Sequence, residues 1–130
     1  MERLQERLNV AEKAFNTLEE VMAIVQPNSI ERDASIQRFE FTFEAVWKAA
    51  KQWLYDVEGL DVGSPKSVIR TFREIGLFDE ETTVLGLQMV NDRNLTVHTY
   101  NEALANEIYS KLTLYAPLLK DWIRNMKEKI

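Results

Sequence analysis

The sequence predicts an all-α protein, a five-helix up-and-down antiparallel bundle. Three observations predict it. Apolar residues recur three and four apart along almost the whole chain, and strand-like alternation is nearly absent. Glycine occurs only four times and proline three, so breaks in the helical pattern are few. The links between periodic segments are short, which makes successive helices antiparallel neighbours.

The first helix is expected from about Glu2 to Val25. Leu4, Leu8, Ala11, Phe15, Leu18, Met22 and Val25 form one continuous apolar stripe. Gln26-Pro27-Asn28-Ser29 stops it. Asn28 with Glu31 three residues later makes a capping box for the second helix, expected from about Ile30 to Val57. Its stripe is Phe39, Phe43, Val46, Ala50, Trp53 and Val57. Phe41, Ala45 and Trp47 widen the stripe beyond one face. A helix this apolar needs two neighbours, and one of them can be a second subunit. Ser64-Pro65 is a cap followed by proline at the first helical position. The short third helix runs to about Ile75, with Gly76 just beyond its end and Val68, Ile69 and Phe72 inward. Asp79 caps the fourth, with Val84, Leu87 and Val90 on one face. Gly86 inside it costs about 1 kcal/mol against alanine and suits close packing. Thr99-Tyr100-Asn101-Glu102 matches a second capping box, so the fifth helix is expected to start at Tyr100. Leu104, Ile108, Tyr115, Leu119, Trp122 and Met126 continue its stripe. Pro117 falls inside it and predicts a kink.

With 130 residues, 45% of them hydrophobic, the chain has the size of one domain, expected over residues 1–130. It has no cysteine and a single histidine. That removes thiolate nucleophiles, disulfides and cysteine-based zinc sites. No metal and no cofactor are expected. Residues 1–10 have no apolar signal core, and no apolar run approaches the ~20 residues that span a bilayer. The expectation is a soluble cytoplasmic protein. The net charge of −5 argues against a protein that coats nucleic acid. It permits one local positive groove, and it suits a basic partner protein.

Chemistry-bearing residues concentrate in Asp92-Arg93-Asn94-Leu95-Thr96-Val97-His98-Thr99-Tyr100. A permanently charged guanidinium and a side chain that titrates near neutrality are what metal-free phosphodiester chemistry uses. On an unbroken helix, residues five apart differ by roughly 140°. Arg93 and His98 therefore act together only if the helix ends between them. The expected cap at Thr99 puts His98 just before a helix N-terminus, a place that favours phosphate. Against this stands the ordinary explanation: a lone histidine beside a helix start is most often a surface or packing residue, and R-x4-H is a weak signal by itself. Lys66, Arg70 and Arg73 form a basic stripe on the third helix that could touch RNA or nucleotide phosphates. A solvated face accounts for it at least as well. Glu40 and Glu44 share a face of the second helix. Paired carboxylates can perform acid/base work, but with Arg38 and Lys48 nearby ordinary surface pairing is the simpler account. The aromatic cluster Phe39, Phe41, Phe43, Trp47 and Trp53 is most simply core or dimer interface.

Three segments carry a family resemblance: Arg38-Phe39-Glu40-Phe41-Thr42-Phe43-Glu44 with Trp47-Lys48, Ser64-Pro65-Lys66-Ser67-Val68-Ile69-Arg70, and Arg93-Asn94-x-x-x-His98-x-Tyr100. In this order and spacing the chain resembles the HEPN superfamily. More narrowly, it resembles the small bacterial and archaeal nucleotidyltransferase substrate-binding proteins, the partner half of HEPN/minimal-nucleotidyltransferase toxin–antitoxin pairs. Gln88 departs from the aromatic residue expected in this family, a matter of packing. The resemblance implies a metal-independent RNA endonuclease whose two R-x4-H motifs meet across a homodimer. Arg93 would clamp phosphate, His98 would move the proton, and Asn94 would orient the site. Asp92, read from its position alone, could pair with Arg93 or support His98; the ordinary account is a helix-end surface carboxylate. Tyr100 stands where the partner nucleotidyltransferase attaches AMP in related pairs. The alternative it leaves open is a non-catalytic subunit that presents nucleotide or substrate to a separate nucleotidyltransferase. A helical dimer with only a scaffolding role is the third reading. The chain is not itself a nucleotidyltransferase on any of them: Gly63-Ser64 leads into Pro65, with no D-x-D after it.

Overall fold

The structure, a computed structural model, describes residues 1–130. It is all helical: α1 (Glu2–Met22), α2 (Ser29–Glu58), α3 (Pro65–Glu74), α4 (Glu80–Leu95), a single 3-10 turn (Thr96–His98) and α5 (Glu102–Glu128). The up-and-down arrangement is the expected one. The long helices α1, α2 and α5 pack on one another, and the α3–α4 pair leans against α2 and α5.

The caps explain most of the boundaries. The Asn28 side chain accepts from the Glu31 N–H at 2.8 Å while Glu31 accepts from the Asn28 N–H at 2.9 Å, the full reciprocal box. Ser64 caps α3 with Pro65 at its first turn, and Asp79 caps α4. Gly59 and Gly76 end α2 and α3 with φ of 69° and 84°, a region that costs side-chain-bearing residues strain. Gly86 serves close packing instead. A Cβ there would stand 3.2 Å from Ile69 Cγ2, so its absence lets α4 approach α3.

One contiguous core of 27 residues runs through the bundle. Its aromatic centre is Phe72, whose ring lies 5.4–5.5 Å from those of Trp53, Phe78 and Trp122. The Trp53 indole donates to the Met126 carbonyl at 3.2 Å. Phe39 stacks on Tyr115 at 5.6 Å. α5 continues through Pro117 to Glu128. Pro117 and Thr113 are exposed, so the carbonyl that loses its i+4 donor can turn to water.

Three expectations fail. α1 stops at Met22, and Val25 is 86% exposed instead of completing the stripe. The chain turns there through Gln26 at φ 54°, and Val21 takes the last buried place. On α4 it is Thr83, Gly86, Met89, Val90 and Asp92 that are buried, while Val84 is exposed. The helix is rotated so that Gly86 faces Ile69. α5 begins at Glu102, not Tyr100. Its cap is Asn101, which accepts from the Leu104 N–H at 3.1 Å. The Thr99 hydroxyl donates backwards, to the Thr96 carbonyl at 2.9 Å.

Candidate functional site

The last turn of α4 parts its side chains between two walls. Asp92 turns inward toward α5. It is buried, accepts the Tyr115 hydroxyl, and pairs with Lys111 at 3.4 Å. Burial together with this carboxylate pushes the Tyr115 phenol far above its usual range. Burial pulls the Lys111 ammonium down, but Asp92 and Glu107 outweigh it and the net shift is upward. Asp92 is therefore an anchor that fixes α4 to α5. It does not line an open site.

Arg93 turns the other way, toward α2. Its Nη2 lies 3.1 Å from Glu44 Oε2, and Glu44 also pairs with Lys48 at 3.4 Å. The Arg93 Nε is buried and has no acceptor. Three residues on, the Thr96 hydroxyl lies 2.8 Å from Glu40 Oε2 and 2.7 Å from the Arg93 carbonyl. Thr96 is buried and sits on the 3-10 turn, so Glu40 and Glu44 together clasp the end of α4 to α2. This corrects the reading of those two glutamates as ordinary surface pairing. Only the Glu44–Lys48 contact is of that kind. Glu40 and Thr96 were missed as members of the site, although the one-turn spacing of Glu40 and Glu44 already placed both carboxylates on one face.

The helix ends at Leu95, between Arg93 and His98 as the geometry of a joint site demands. The 3-10 turn then carries His98 outward. His98 is exposed, and its ring meets that of Tyr100 edge to face at 5.9 Å. No side-chain hydrogen bond joins His98 to Arg93 or to any other residue. Asn94 is exposed, and so is Tyr100, at 86%. The expected phosphate cradle at the start of α5 is not formed next to His98, because the Asn101 cap lies three residues further on. Beside the turn, Ile30, Asp33, Ala34, Ile36, Gln37 and Thr99 line a surface cavity of about 500 Å³.

The α3 stripe stays apart. Lys66 is half-buried and Arg70 is exposed, while Arg73 approaches Glu80 at 4.0 Å. α3 lies against α4 and α2, away from the turn. Gln88, where an aromatic residue was expected, is exposed. Among the acidic residues and His98 no group is arranged to hold a metal ion, and no helix is long and apolar enough to cross a membrane.

The family model of proteins described as nucleotidyltransferase substrate binding protein like matches residues 6–128. The chain belongs to this family. A crystal structure of a Thermus thermophilus protein is similar at 52% identity and a TM-score of 0.86, covering 89% of this chain and 98% of that one. A Haemophilus influenzae protein superposes with a TM-score of 0.78 over 92% of this chain and 98% of its own. That structure is described as revealing the fold of a substrate binding domain of a nucleotidyltransferase. At 23% identity it supports the shared fold of this substrate-binding-like protein. No curated protein matches the sequence.

Proposed function

We propose that this substrate-binding-like protein is a non-catalytic subunit that holds a nucleotide or other phosphorylated substrate for a separate nucleotidyltransferase. The observation that carries this reading, beyond the family, is the Arg93–Glu44 ion pair. In the free chain the Arg93 guanidinium is engaged by a carboxylate, and Thr96 binds a second carboxylate, Glu40. A nuclease site would have to aim Arg93 and His98 at one scissile phosphate, and here Arg93 is turned to Glu44 with no hydrogen bond to His98, whereas a holding site needs Arg93 alone. A holding site that trades an internal carboxylate for a ligand phosphate is compatible with the same geometry. The test is to mix the chain with a small nucleotidyltransferase of the same genome. A stable complex in size-exclusion chromatography, and nucleotidyl transfer that needs this chain, are expected. No complex at micromolar concentration sinks the reading.

A second reading rests on one observation: His98 is exposed, lies beyond a helix end after Arg93, and shares its turn with an exposed Tyr100. On it the chain is one HEPN-like domain, cytoplasmic, and a homodimer whose paired motifs cleave RNA without metal as the toxin of a toxin–antitoxin pair. Arg93 grips phosphate, His98 moves the proton, Asn94 supports them, and the partner enzyme silences the toxin by modifying Tyr100. Lys66, Arg70 and Arg73 would then extend the RNA contact. RNA cleavage that His98→Ala and Arg93→Lys both abolish would favour this reading. A point charge cannot replace a planar fork on phosphate.

A further inference from the structure

A run of cations crosses the face formed by α1 and α2, and nothing in the two readings above uses it. Arg3, Glu6, Arg7 and Val10 of α1 and Ala45 and Lys48 of α2 line a groove of about 310 Å³. Three of the six carry positive charge and one carries negative charge, in a chain whose net charge is −5. Arg3 and Arg7 are one helical turn apart and so present both guanidinia on one side. Arg3 has no carboxylate partner. Arg7 makes only a long bond, 3.4 Å from Nη1 to the Lys48 carbonyl. Lys48 leads on to Glu44, and Glu44 to Arg93. Arg7 thus reaches the backbone of Lys48, and the Lys48 ammonium reaches Glu44, which holds Arg93 just beyond the groove, with Arg3 one turn further along α1.

Glu44 is the anomaly among these contacts. It is set between two cations, Lys48 and Arg93, and the Arg93 fork it engages is only half used. Nη2 has Glu44, while the neighbouring Nε is buried without an acceptor. Nε and Nη2 are parallel donors suited to two oxygens of one anion. Leaving a buried donor unfilled is costly, so the fork favours a ligand that fills both positions.

We propose that Arg3, Arg7, Lys48 and Arg93 form a binding track for an oligophosphate, and that Glu44 occupies the place of its terminal phosphate until the ligand arrives. On binding, a phosphate takes both donors of Arg93, and the Glu44 carboxylate keeps Lys48 as its partner. This deepens the substrate-holding reading and rests on it, since it names the chemical class of what is held. The same chemistry is offered by a nucleoside triphosphate and by the backbone of a nucleic-acid strand.

Isothermal titration of the intact chain with inorganic triphosphate, with ATP and with a short single-stranded oligonucleotide tests it. Binding of at least one of the three is expected, weakening about tenfold for each guanidinium removed in Arg3→Ser and Arg7→Ser, the worth of about 1.4 kcal/mol per contact. Preference for ATP or triphosphate identifies a nucleotide. Binding by the oligonucleotide alone, with a salt slope that falls by about 0.7 per lost contact, identifies a strand. Glu44→Gln keeps the shape and removes the competing charge, so it is expected to tighten binding about tenfold. Circular dichroism checks that the variants are folded. No binding of any probe, or binding indifferent to Arg3 and Arg7, overturns the track. Unchanged or weaker affinity in Glu44→Gln overturns the stand-in role. Complex formation with the nucleotidyltransferase is measured separately: if it survives in the Arg3→Ser/Arg7→Ser variant while phosphate binding is absent from the wild type, this inference falls and the parent reading stands.

Discussion

The aromatic centre of the bundle and the turn from Arg93 to Tyr100 obey opposite rules. Around Phe72, four large rings from α2, α3, α5 and the α3–α4 link fill one another's space, and every one is nearly or wholly buried. Around His98, Val97, His98 and Tyr100 point into solvent, and only Thr96 is held inside. The first region is specified by volume and apolar area. The second is specified by a few directed polar contacts at its base. Asp92 and Arg93, adjacent in sequence, mark the border, one tied into the core through Tyr115 and the other reaching out to Glu44. Stability is therefore concentrated where chemistry is absent, and substitutions in the two regions should separate cleanly.

The largest expected effect comes from breaking the core side of this contrast. Phe72→Ala removes a ring fully enclosed by three aromatic neighbours, and should cost about 3–5 kcal/mol in urea unfolding. A loss below about 1 kcal/mol would mean that the two regions are not energetically distinct.

The border comes next. Tyr115→Phe leaves Asp92 buried with Lys111 alone, and should cost about 1–3 kcal/mol. It also carries a pH signature. Both Tyr115 and Lys111 are shifted upward in the folded chain. A raised pKa gives stability that is complete below the unfolded value, 10.0 for the phenol, and is lost as pH rises beyond it. The wild type should therefore lose stability above about pH 10, and Tyr115→Phe should flatten that decline. Identical alkaline limbs for the two proteins would show that the Asp92 anchor is not the source.

How legible each region was in the sequence follows from the same contrast. The core was legible because burial imposes a period. Leu4 through Leu18 on α1, Phe39 through Trp53 on α2, and Ile108 through Met126 on α5 all face inward as the spacing requires. The period failed where backbone geometry outranked it. The reversal at Gln26 left Val25 outside, and the approach of Gly86 to Ile69 rotated Val84 into solvent. The turn was legible only as a list of residues. The cap expected at Thr99 gave way to Asn101, since asparagine caps more strongly than threonine. The clasp by Glu40 and Glu44 joins residues 56 and 49 positions apart. No local pattern encodes such a distance.

A smaller effect sharpens the comparison from the acid side. The Asp79 carboxylate is held below its usual range by the Thr82 backbone N–H, whose bond to Asp79 Oδ1 measures 2.7 Å. A depressed pKa gives stability that is present above the ordinary carboxylate range and lost as pH falls through the folded value. Asp79→Ala should lower the melting temperature slightly near neutral pH, and the deficit should shrink as the wild-type carboxylate is protonated. A deficit that persists unchanged into acid would assign the loss to the neutral cap and not to its charge.

The smallest expected change in stability is the most informative about the turn. His98→Ala removes an exposed ring with no side-chain hydrogen bond, whose aromatic neighbour is the exposed Tyr100. Surface substitutions of this kind stay within about 0.5 kcal/mol, and Tyr100→Phe should be equally silent in unfolding. Neither change disturbs the base of the turn, because Thr96 still holds Glu40 and Arg93 still holds Glu44. If His98→Ala instead unfolds the chain, the turn is part of the packing and its exposure has no functional meaning. If stability holds while nucleotidyl transfer in the complex or RNA cleavage is lost, the turn has been separated from the core. Which of the two activities disappears then decides between the substrate-holding subunit and the nuclease.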